Sequence, residues 1–106
     1  MDNLKILIKR DGKEIACICR DNGVYSARIL DDNSRYPISL FGIHKEKELA
    51  HKNIEDWLKR RVVPKEREDI GEILAAAGLS KYDYLELIKL NRGRITDDDF
   101  ELEIAE

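Results

Sequence analysis

Two cysteines separated by one residue, Cys17 and Cys19, are the first candidates for chemistry, because on a strand their thiols project from one face and could bind a soft metal or act as nucleophiles. A structural zinc site needs four ligands in recognisable paired spacing. Here a single C-x-C lies far along the chain from His44 and His51, so no metal site is expected and the pair reads as reduced core cysteines. A catalytic cysteine would also need an oriented histidine, and the spacing supplies none. No Gly-rich phosphate loop, paired carboxylates at a defined spacing or serine triad can be read in the chain. A non-enzymatic protein without cofactor is the expectation.

Charge supplies the remaining candidates. Lys59, Arg60, Arg61, Lys65 and Arg67 cross a helix end and the following loop, forming a basic patch suited to phosphate or to an acidic protein surface. Asp97, Asp98, Asp99, Glu101 and Glu103, with Glu106 beyond them, concentrate negative charge near the end of the chain. That tail has three readings: pairing with a basic partner, imitating a nucleic-acid backbone, or keeping an edge strand from aggregating, the last being favoured. The three aspartates lack the spaced ligands, glycine and terminal glutamate of an EF-hand, so no calcium is expected.

The chain that must position these groups has 106 residues, 42% hydrophobic and 39% charged, with a formal net charge of -3. Those values fit one domain over 1–106 and disfavour both a disordered chain and a strongly basic nucleic-acid binder. Apolar runs such as Ile73 to Ala77 fall short of the roughly 20 residues of a membrane span. Lys5, Lys9 and Arg10 interrupt any signal-peptide core, so a cytoplasmic protein is expected.

Three strand-like runs, Leu4 to Lys9, Glu14 to Cys19 and Val24 to Leu30, are separated by Asp11-Gly12 and Asn22-Gly23, the dipeptides of tight hairpins. An antiparallel meander follows, its second strand covered on both faces. Asp31 to Ser34 reads as a turn, Tyr36 to Ile43 as an edge strand or extended connection, and His44 to Lys52 as a linker or opening turn. The β-rich half thus occupies 1–43.

Over 53–93 the period changes to 3.6. The spacing predicts a helix after Asn53 with Ile54, Trp57, Leu58 and either Arg61, through its stem, or Val62 inward, Trp57 being a core anchor, ended by Pro64. A second starts at Pro64 to Glu66, carries Ile70, Ile73, Leu74 and Ala77, and stops at Gly78; a third is capped by Ser80, buries Tyr84, Leu85 and Ile88, and stops near Gly93. Phe100, Leu102 and Ile104 alternate with polar residues over 96–106, which predicts an acidic strand or tail returning to the sheet. The fold class is α+β.

Within this pattern stand Trp57-Leu58-Lys59-Arg60-Arg61-Val62-Val63-Pro64, Arg67, Glu72-Ile73-Leu74, Gly78-Leu79, Tyr82-Asp83, Gly93-Arg94, Asp98 and Phe100. Ile54 to Phe100 thereby resembles the N-terminal, non-kinase accessory region of Firmicutes HipA-like kinase proteins, and Tyr36 to Leu40 resembles its proline-containing approach. The resemblance implies a free-standing relative of that module, with no phosphoryl-transfer residue, that acts by binding: a small antitoxin or regulator of a kinase toxin. A phage or mobile-element inhibitor of a nuclease or other defence enzyme, anti-CRISPR-like in role, is the alternative. A DNA-associated regulator using Arg60, Arg61 and Arg67 is a third, with nucleic acid the less expected partner.

Overall fold

The two hairpin dipeptides set the architecture. Asp11 and Gly12, and likewise Asn22 and Gly23, both have positive φ, as type I′ turns require. The computed structural model describes residues 3–31, 35–43, 45 and 48–105, and in it these turns join β1 (Leu4–Arg10), β2 (Lys13–Asp21) and β3 (Val24–Ile29) into an antiparallel meander. A fourth strand, β4 (Glu101–Ala105), returns antiparallel to β1, giving the order β3-β2-β1-β4.

Strand alternation decides which residues form the core. Ile6, Ile8, Ala16, Ile18, Tyr25 and Leu102 lie buried on one face. Register slips by one residue between Ile8 and Lys9, which leaves Ile15 unpaired with β1 and turns it into the same core. Lys5, Leu7, Lys9, Cys17, Cys19, Arg28, Glu101 and Glu103 carry the opposite face by alternation. The core residues contributed by the helices join the Ile6 face, so among the described residues β2 has helices on one side only, a correction to the expected double covering. Cys17 is nevertheless buried within the outer face.

Among the described residues four helices follow β3: α1 (Ile38–Phe41), α2 (His51–Lys59), α3 (Ile70–Ala76) and α4 (Tyr84–Asn91). The first corrects the expected extended connection. Leu40 and Phe41 are consecutive and both buried, whereas an edge strand with one face in solvent would turn one of them outward. One helical turn, with the Leu40 and Phe41 N–H groups donating to Pro37, places both inward.

Helix α2 starts two residues before Asn53, because His51 is held from outside: the backbone N–H of Tyr25 donates to its Nδ1 (2.9 Å), and the two rings stack at 5.3 Å. It also ends well before Pro64. Helix α3 begins only at Ile70, after turns at Pro64 and Arg67, and none of its residues is buried; Ile70, Ile73, Leu74 and Ala77 are half-buried. Its stop is as expected, since Gly78 (φ 76) lets the Leu79 N–H reach Leu74 and its own N–H reach Ala75. Asp83 rather than Ser80 caps α4, its carboxylate accepting from the N–H groups of Leu85 and Glu86. Among the described residues no helix is long and apolar enough to cross a membrane.

Candidate functional site

Arg61 stands just past the early end of α2. After Lys59 the chain turns, with the Arg61 N–H donating to Leu58, and the guanidinium swings into the core. Arg61 is 2% exposed. Its Nε donates to the Gly93 carbonyl (2.6 Å), Nη1 and Nη2 form a fork on the Asp98 carboxylate (2.9 and 2.8 Å), and Nη2 also reaches the Phe100 carbonyl (3.2 Å). The Trp57 ring covers its face at 4.7 Å, and the indole N–H donates to Ser39 Oγ (2.8 Å). Asn91 completes the frame by donating to the Arg61 carbonyl and accepting from the Gly93 N–H. A buried charge persists when its hydrogen-bonding capacity is met, and this guanidinium meets two carbonyls and a carboxylate.

Arg61 is therefore a correction to the expected basic contact patch: its donors face inward. The other four members separate. Lys59 pairs with Glu55 (3.5 Å) and lies over the Tyr84 ring (5.4 Å), whereas Arg67 pairs with Asp69 (2.6 Å). Arg60 and Lys65 are exposed.

The acidic group is equally divided. Asp98 belongs to Arg61, Asp99 pairs with Arg10 (2.8 Å), Glu101 with Arg94 and Glu103 with Lys9. Asp97 makes no ion pair among the described residues. Glu106 and His44 lie outside the described residues, as does 32–34 of the expected turn. The Cys19 thiol is pushed up by burial and by neighbouring Cys17. No cluster of three metal-ligating side chains occurs among the described residues.

What the fold does bring together is a groove of about 1100 Å³ between α1, the end of α2 and the 95–100 loop. Arg35 and Arg60 border it together with Asp97 and Asp99, and Trp57 and the Arg61–Asp98 pair also line it. Ile38, 56% exposed, contributes an apolar residue to the same wall. Arg35 and Ile38 were absent from the candidates because no local pattern marks them; their place beside Asp97 depends on α1 and the distant loop meeting.

The fork from Arg61, helped by the Phe100 N–H and opposed by burial, holds the Asp98 carboxyl below the usual carboxylate range. A folded pKa below the unfolded value of about 3.9 contributes stability that is fully present above that value and lost as pH falls through the lower folded one. Asp98→Asn therefore removes stability near neutrality but narrows its gap to the parent on acidification. Urea midpoints between about pH 5 and pH 2 will measure this; parallel curves would deny the Arg61 coupling.

No protein-family model, curated protein or solved structure matches the chain.

Proposed function

We propose that this protein is a non-enzymatic protein-interaction module, a small antitoxin or regulator that binds a HipA-like kinase through the groove beside Arg60. One observation carries the reading: cations and carboxylates border the same groove, with exposed Ile38 on its wall. A protein surface offers both signs of charge and an apolar residue to fill such a place. Duplex DNA offers a single sign, and Asp97 and Asp99 would repel it. The resemblance of Ile54 to Phe100 supplies the kinase as partner.

Arg35→Glu with Arg60→Glu tests the surface, because both side chains are exposed and their reversal leaves the core untouched. Calorimetric titration of a HipA-like kinase is expected to show binding by the parent, weakened about tenfold or more by the double variant and less salt-dependent. Equal affinity of parent and variant would remove the groove as the contact; no binding by the parent would remove the kinase. A defence nuclease is the second partner to titrate.

A further inference from the structure

Arg60 also borders a second groove, of about 930 Å³, that reaches the loop after Pro64 and the approach to α4. We propose that this groove binds an acidic, extended segment of the partner protein, whose carboxylates meet Arg60, Lys65 and Lys81. The proposal rests on the reading of the chain as a protein-binding module and names the chemistry of a distinct part of the contact.

Three cations here come from three separate pieces of chain: the end of α2, the loop after Pro64, and the residue before Tyr82. None of the three is paired with a described residue, although Lys59, Arg67 and Lys89 all are. Unpaired cations converging on one concavity create a positive potential that favours carboxylates. The negative charges of the wall are largely engaged. Asp56 faces Lys52 (3.8 Å), and the Asp83 carboxylate accepts from the first N–H groups of α4. Glu66 is the lining carboxylate left without such a partner among the described residues.

The groove is also held open before any ligand arrives. Tyr82 OH donates to the Val63 carbonyl (2.7 Å), tying the α4 approach to the loop that carries Lys65. A preformed wall spares the ligand the ordering of that loop. Charges spread over separate segments match carboxylates spaced along a peptide better than one compact anion. Val62, Pro64 and Tyr82 give intervening apolar side chains a surface. Glu66 interrupts the positive field, so the cations stand as separate points and not as the continuous strip that suits the phosphate array of a nucleic acid.

The test uses the full chain and two probes: a fluorescein-labelled peptide alternating glutamate with leucine, and labelled oligothymidylate of equal length. Fluorescence anisotropy at about 20 mM and 150 mM salt reads affinity and its screening. The peptide is expected to bind more tightly than the oligonucleotide, and Lys65→Glu with Lys81→Glu to weaken it about tenfold or more with an unchanged far-UV circular dichroism spectrum. Equal peptide affinity of parent and double variant overturns the proposal, and so does tighter binding of oligothymidylate, which would give the groove to nucleic acid. Kinase titration separates the two readings. If the kinase binds but the peptide does not, the acidic-segment proposal fails alone; if the peptide binds in this groove and the kinase does not, the kinase assignment fails alone.

Discussion

Arg61→Ala lowers stability by about 3 to 5 kcal/mol, the usual consequence of deleting one member of a buried ion pair. Loss of the side chain strands Asp98 and leaves the carbonyls of Gly93 and Phe100 without their donor. Against a total of about 5 to 15 kcal/mol for an ordinary domain, that is a large fraction. Urea denaturation followed by far-UV circular dichroism will show it as a lower midpoint. Arg61→Lys recovers only part of the loss, because an ammonium cannot make the planar fork and reach both carbonyls. The Arg61→Ala, Asp98→Ala double variant should be less destabilised than the sum of the singles, since no charge is then abandoned. A loss under about 1 kcal/mol for Arg61→Ala would show that the guanidinium is solvated and the network absent.

Trp57→Ala is expected to cost about 3 to 5 kcal/mol, from a ring that is 3% exposed. The substitution opens a cavity at the contact of α1 and α2, removes the donor to Ser39 and uncovers the face of Arg61. Circular dichroism must report it, because the chain has one tryptophan and the variant none. Because Trp57 touches Arg61, the two effects should not add, and their coupling should reach about 0.5 to 3 kcal/mol. A change below about 1 kcal/mol would place the indole at the surface and make it a candidate partner contact.

The sheet was legible because its signals are local. Asp11-Gly12 and Asn22-Gly23 need only their own backbone preferences to turn the chain, and the alternation of Leu102 and Ile104 identifies β4 without its partner β1. Run length defeated the reading of α1: Ile38–Phe41 is too short for strand and helix periods to be told apart. His51 drew the start of α2 forward through a contact with Tyr25, 26 residues away, which no cap signal near Asn53 announces. Helical spacing puts the Arg61 stem on the inward stripe, but nothing local marks its guanidinium as buried. Its residue type and neighbours describe a surface cation, whereas its carboxylate partner is 37 residues further on. Trp57, Arg61, Gly93, Asp98 and Phe100, scattered over 44 positions of the sequence, meet in one packed network. The groove beside Arg60 was half visible, as two charged clusters, but Arg35 and Ile38 reach it only through the tertiary fold.

The pairing of β1 with both β2 and β4 imposes a timetable on synthesis. On the ribosome the meander is available early, but the second neighbour of β1 is the last strand in the described chain. At about 5 to 20 residues per second, the stretch from Asp21 to Glu101 takes on the order of 4 to 16 s to emerge. Throughout that interval one edge of β1 lies open to any other nascent strand. Lys5 and Lys9, placed by alternation on the outer face of β1, burden a wrongly paired neighbour with unmatched charge. When β4 arrives, Glu103 meets Lys9, so the same lysine that discourages strangers favours the native strand.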